Sequence, residues 1–218
     1  MFARWFHDSD LAAKETAPQT ALLNVAIAHG LILALLVTAT MRISGHLNPA
    51  VTMGFLVAGR IEAMMAALYW VAQLFGGIVA AYSLKALFPA TAATAAHLGG
   101  QSLAGGVSYG QGVALEAIAT FFLVFVVFGT AVDPKAPRVG GFAIGLTIAA
   151  DILAIGPLTG ASMNPARSFG PALVSGVWDD HMVYWIGPMI GGIVAGLLCD
   201  QLFIRREPEP VDHGAVRP

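Results

Sequence analysis

The tripeptide Asn-Pro-Ala stands twice in this sequence, at Asn48-Pro49-Ala50 and at Asn164-Pro165-Ala166, each between long apolar runs. Asn caps a helix start and proline suits the first helical position, where no backbone partner is lost, so each tripeptide reads as a helix beginning at its Asn. An apolar membrane core cannot solvate a broken backbone, so two such breaks at matching places mark a polar path. Other polar groups sit at telling places: Glu116 and Asp151 inside apolar runs, and Arg167 directly after the second tripeptide. A cation beside a helix N-terminus is disfavoured by the dipole, which points to a role for Arg167 beyond neutralising a loop. The chemistry on offer is recognition and passage, because no nucleophile, base or metal cluster occurs at useful spacing. His7, His97, His181 and His213 lack metal-ligand spacing and read as solvated, and the single Cys199 excludes an intrachain disulfide framework. No metal, no cofactor and no enzymatic activity are expected.

The elements that must position these residues belong to a membrane protein. Hydrophobic residues make up 57% of the chain and charged residues 11%, with a mean hydropathy of +0.74, whereas about a quarter of a soluble chain is charged. The net charge of -2 gives no reason to expect nucleic acid. Five runs are long enough to cross a hydrocarbon core: about Ala21–Met41, Ala63–Phe88, Gly112–Val132, Val139–Leu158 and Met182–Ile204. Two shorter runs, Asn48–Ala58 and Asn164–Val174, are too short to span and read as re-entrant half-helices. Entering from opposite faces, they would bring two positive dipole ends to one spot near the midplane.

The chain is a duplicated unit. The stretch Tyr69-Trp70-Val71-Ala72-Gln73-Leu74-Phe75-Gly76-Gly77-Ile78-Val79-Ala80 returns as Tyr184-Trp185-Ile186-Gly187-Pro188-Met189-Ile190-Gly191-Gly192-Ile193-Val194-Ala195, 115 positions later. This divides it into a polar segment 1–20, an apolar domain 21–204 with a truncated first repeat at about 21–88 and a second at about 111–204, and a polar tail 205–218. The glycine pairs Gly76-Gly77 and Gly191-Gly192 read as close-packing sites. Placing Arg42, Arg60, Lys135, Arg138, Arg205, Arg206 and Arg217 in the cytoplasm leaves Arg4, Lys14, Lys85 and Arg167 outside. That seven-to-four split puts the C-terminus inside and the N-terminus outside.

With two such signatures, Ser44-Gly45-His46-Leu47-Asn48-Pro49-Ala50-Val51-Thr52 and Thr159 to Pro171, the chain resembles the major intrinsic protein family, the aquaporins, from about Leu22 to Ile204. The resemblance implies an all-α, inverted-repeat membrane bundle with five full spans here and two re-entrant half-helices, one pore per subunit and a homotetramer. It implies that Asn48 and Asn164 offer their amides to water at the midplane, so that no proton is relayed through. A second constriction would fall on His29, Ile152, Ala161 and Arg167. His with Ile resembles the plant tonoplast-intrinsic branch and implies a wider ring, passing urea, ammonia or hydrogen peroxide beside water; Ser168, Ala172, Tyr184 and Trp185 argue against glycerol. Glu116, with Thr120 one turn later, would brace a re-entrant loop. Asp151 reads equally as bundle glue or as a group that tunes the pore. The expected location is the plasma (inner) membrane of a prokaryote.

Shifting the span Gly112–Val132 back by 115 positions lands on a window that ends at Ala17 and carries Arg4, Asp8, Asp10, Lys14 and Glu15, which cannot span. The family's first helix is thus absent from the expected arrangement. So is its buried Glu, expected to brace the loop of Arg167. Besides the passive channel, two readings stay open: a non-conducting truncated homologue and a secondary transporter, for which only Glu116 and Asp151 could serve as coupling acids.

Overall fold

The computed structural model describes residues 17–136 and 139–202. The charges at Arg4, Lys14, Arg138, Arg205, Arg206 and Arg217, the window 1–16, His7, His213 and the polar tail lie outside the described residues. All regular structure among the described residues is helical. Five helices have the length and apolar composition to cross a membrane: α1 (Ala17–Thr40), α3 (Ala63–Leu87), α5 (Tyr109–Val127, continued by a π-helical turn Phe128–Val132), α6 (Gly140–Thr159) and α8 (Val183–Leu202). Two short helices follow the tripeptides, α2 (Pro49–Val57) and α7 (Pro165–Ser175). A six-residue helix α4 (Ala90–Ala95) and a turn His97–Gly99 occupy the α3–α5 connection.

The half-helices start where their sequence demands. Asn48 and Asn164 sit in extended backbone as N-caps, each followed by proline in the first turn. Asn48 Oδ1 accepts from Ala50 N at 2.8 Å, and Asn164 Oδ1 accepts from Ala166 N at 3.0 Å and Arg167 N at 3.3 Å. α7 stops at Gly176, whose φ of 78° is a left-handed cap that a Cβ would strain.

Packing exchanges the repeats: α2 lies against α8, α7 lies against α3, and α1 pairs with α6. Lipid tails supply no hydrophobic drive between helices, so the bundle depends on close approach at small residues. Gly77 and Gly192 show why. A Cβ at Gly192 would overlap the carbonyl oxygen of Ala50, and one at Gly77 would overlap that of Ala166. These two matched contacts seat each half-helix on the last span of the opposite repeat. Arg60, just beyond α2, donates through Nε (2.9 Å) and Nη2 (2.7 Å) to Asp200 Oδ1 near the end of α8.

Candidate functional site

The two loops that precede the half-helices meet inside the bundle. Leu47 (φ 50°) and Met163 (φ 53°), each just before its Asn, both adopt left-handed backbone, as does Ala161 (φ 48°). For non-glycine residues this costs on the order of 1–3 kcal/mol each and persists only where neighbours over-determine it. The neighbours are the asparagines themselves. Asn48 Nδ2 donates to Met163 O at 2.7 Å and Asn164 Nδ2 donates to Leu47 O at 3.0 Å. A carboxamide nitrogen carries two hydrogens, so each Asn uses one to hold the opposite loop and keeps one for the lumen. The sequence suggested the convergence but not this reciprocal bond, because a contact to a backbone carbonyl leaves no residue-type signature.

A cavity of about 150 Å3 runs past this meeting point, and its wall includes His29, Ile152, Ala161 and Arg167 together with Asn48 and Asn164. His29 Nδ1 stands 2.9 Å from Val25 O. A carbonyl can only accept, so that nitrogen is protonated and Nε2 is the free atom. Arg167 Nη1 donates to Gly99 O at 2.8 Å, which fixes the guanidinium from the α3–α5 connection. His46 also borders the cavity. Its Nδ1 lies 3.1 Å from Thr52 Oγ1, and its ring is 4.1 Å from that of Phe55.

Glu116 is fully buried. Its Oε1 accepts from Thr159 Oγ1 (2.7 Å) and Ser162 N (2.9 Å), and its Oε2 accepts from Met163 N (2.7 Å). The carboxylate on the loop that leads to Arg167 is therefore Glu116 itself, contrary to the expectation that an absent acid would serve there. Repeat symmetry predicts that each repeat has an acid; it does not say which loop each acid reaches. Thr120 donates to the carbonyl of Glu116 at 2.7 Å, so its hydroxyl is spent on its own helix, while Thr159 is the threonine on the carboxylate. Tyr184 closes the cluster by donating to Thr159 O at 2.8 Å.

Asp151 is buried beside Ile152, and its Oδ2 has no hydrogen-bond partner among the described residues. His181 departs from the solvated reading: its Nε2 accepts from Trp185 Nε1 at 3.0 Å and its ring lies 4.7 Å from that of Trp178, whereas His97 is exposed. Among the described residues no group of three or more His, Cys, Asp or Glu side chains could hold a metal ion.

The profile of the family described as Major intrinsic protein matches residues 6–199. The chain belongs to that family. It is a passive membrane channel and not an enzyme, and no finding favours the secondary transporter or the non-conducting homologue. Among known major intrinsic proteins it is similar to Aquaporin TIP4-4 of Zea mays, at 49% identity over 198 residues, covering 88% of this chain and 77% of the relative. It is also similar to Probable aquaporin TIP3-2 of Arabidopsis thaliana, at 46% identity over 201 residues, covering 90% of this chain and 73% of the relative. The TIP-like branch expected from His29 and Ile152 agrees with both. The fold matches that of the aquaglyceroporin from Plasmodium falciparum with a TM-score of 0.69, at 20% identity, over 92% of this chain and 87% of that structure.

Proposed function

We propose that this major intrinsic protein conducts water together with small neutral solutes such as urea, ammonia and hydrogen peroxide, excludes protons, and works as a homotetramer. The observation that carries the reading is one cavity whose wall includes His29, Ile152, Ala161, Arg167, Asn48 and Asn164 together. At its middle, two amide hydrogens and two half-helix N-termini face one short stretch of lumen, as in the general account of aquaporin-type selectivity. A water whose oxygen accepts there must point its own hydrogens away on both sides, which breaks the donor–acceptor chain a proton needs. At the outer ring Arg167 presents fixed positive charge and donors, His29 presents Nε2, and Ile152 presents hydrocarbon where a further donor would narrow and hydrate the ring. Apolar width at Ile152 favours urea and ammonia; fixed charge at Arg167 opposes cations.

Arg42, Arg60 and Lys135 support a cytoplasmic face at the inner ends of the spans. The similar relatives are plant proteins, so they lend no support to a prokaryotic inner membrane. The deciding experiment is stopped-flow light scattering on reconstituted vesicles, with osmotic, urea and proton gradients in parallel. Fast shrinkage and urea entry without pH equilibration are expected. Permeability equal to that of empty vesicles would refute conduction, and native mass spectrometry of the extracted protein checks the tetramer.

A further inference from the structure

A second cavity, of about 10 Å3, lies beside α7, and none of the residues that line it borders the pore cavity. Its wall joins three elements: Gln101 from the α3–α5 connection, Ser175 from the end of α7 and Tyr184 from the start of α8. No Asp, Glu or Cys is among the residues that line it.

Both polar atoms of the Gln101 amide, Oε1 and Nε2, are buried and have no hydrogen-bond partner among the described residues. A buried polar atom left in that condition costs about 1–3 kcal/mol, and in folded proteins the large majority find a partner in protein or in ordered water. The side chain is hemmed in at its stem: a Cβ at Gly160, itself in left-handed backbone at φ 80°, would come within 2.8 Å of Gln101 Cγ. Two hydroxyls on the same wall have capacity to spare. Tyr184 donates its one hydrogen to Thr159 O, which leaves its oxygen to accept, and Ser175 Oγ accepts from Val177 N at 3.3 Å, which leaves its hydrogen to donate.

We propose that this cavity binds one resident water molecule, which joins the Gln101 amide to the hydroxyls of Ser175 and Tyr184 and so positions Arg167. Size decides the ligand: about 10–15 Å3 is the room that one water needs, so a solute of urea size or a hydrated ion is excluded. A bare cation is disfavoured by a wall that offers no carboxylate or thiolate. The two lone pairs and two hydrogens of a water match what is on offer, the donors Gln101 Nε2 and Ser175 Oγ and the acceptors Gln101 Oε1 and Tyr184 Oη. Its effect on the pore is indirect. Gln101 follows Gly99 by two residues, and Gly99 O is the acceptor that holds Arg167 Nη1 at 2.8 Å. Tied through the water to α7 and α8, Gln101 fixes the peptide that aims the guanidinium, and its stem backs Gly160, the neighbour of Ala161. Gln101 is thus a positioning residue that acts through Gly99, whichever solute passes.

The first test is a structure of the full chain in lipid nanodiscs, at a resolution that shows ordered water. One spherical density peak is expected about 2.7–3.2 Å from the Gln101 amide and from at least one of the two hydroxyls. An empty cavity overturns the proposal, and so does a Gln101 amide bonded to protein groups alone, or a peak with contacts of about 2.0–2.3 Å, which would denote a metal ion. The second test reads the positioning role in two variants. Gln101→Leu keeps most of the side-chain bulk and removes both amide polar atoms; Ser175→Ala removes one partner of the water from a half-buried position and serves alone if Gln101→Leu does not fold. Hydrogen exchange at the amides of Gly99 and Gly100, which bond Ala96 O and His97 O, should rise roughly tenfold in Gln101→Leu and by less in Ser175→Ala. The guanidinium resonances of Arg167, read by NMR on 15N-arginine-labelled protein, should shift in both. Exchange and Arg167 resonances equal to wild type in a folded variant overturn the positioning role.

Discussion

Replacing Glu116 by Gln changes one atom and should disturb the Arg167 side of the pore. The carboxylate takes three donors, Thr159 Oγ1, Ser162 N and Met163 N, in a site with no exposed surface. Gln can accept only through its carbonyl oxygen and must turn an NH2 group toward at least one of those donors. One buried donor is left unpaired at about 1–3 kcal/mol, and the remaining bonds fall from charge-assisted to neutral, losing about 1 kcal/mol each. Relief from burying a charge offsets part of this, so the net loss should be about 2–4 kcal/mol. It falls on the loop that holds Ala161 and Met163 in left-handed backbone, so strain there can relax by moving Arg167. Thr159→Val removes one donor and its own bond to Ala161 N, for an intermediate effect. Thr120→Val removes only a hydroxyl bonded to its own helix and should cost at most about 1 kcal/mol. Thermal midpoints in detergent should rank Glu116→Gln below Thr159→Val below Thr120→Val, and the urea-to-water permeability ratio should shift in the same order. If Glu116→Gln matches wild type in both measurements while Thr120→Val does not, the brace has been assigned to the wrong threonine and the wrong carboxyl oxygen contacts.

Arg167→Val should keep water flow but raise proton and urea leakage, since the fixed charge and its bond to Gly99 O vanish; each 1.4 kcal/mol of lost barrier would show as roughly tenfold in flux. Unchanged leakage in vesicles would remove Arg167 from the constriction. His29→Phe replaces an imidazole by a larger apolar ring and should lower urea and ammonia flux relative to water, and an unmoved ratio would show that residue 29 does not border the narrow part. Cys199 is 2% exposed, so mercurials should inhibit poorly; rapid block reversed by thiol would place the sulfur on an accessible wall.

The half-helices were legible because each is announced by local chemistry, an Asn cap and a first-turn proline in a run too short to span. The five spans were legible from apolar length, and their ends moved by only a few residues in the structure. What escaped was carried by backbone. Gly99 holds Arg167 through a carbonyl, which any residue could supply, and the crossed bonds of Asn48 and Asn164 also end on carbonyls. The Thr159 hydroxyl was hidden for another reason: a threonine at a helix end bonds its own helix unless a distant acid intervenes, and that acid lies 43 positions away. The π-helical turn at Phe128–Val132 and the short helix Ala90–Ala95 lie in stretches whose composition does not separate them from an ordinary helix end and a loop.

The crossed asparagines also govern the order of events in biogenesis. Each left-handed loop is held by an amide 115 or 117 residues distant, so neither half-helix can settle before both are made. During synthesis the first tripeptide emerges and must wait, capped but unlatched, while α3, α5 and α6 are threaded into the membrane. On this geometry the meeting point of the two loops is complete only once the chain beyond Asn164 is available. Both loops are thus completed together, by the same reciprocal pair of hydrogen bonds.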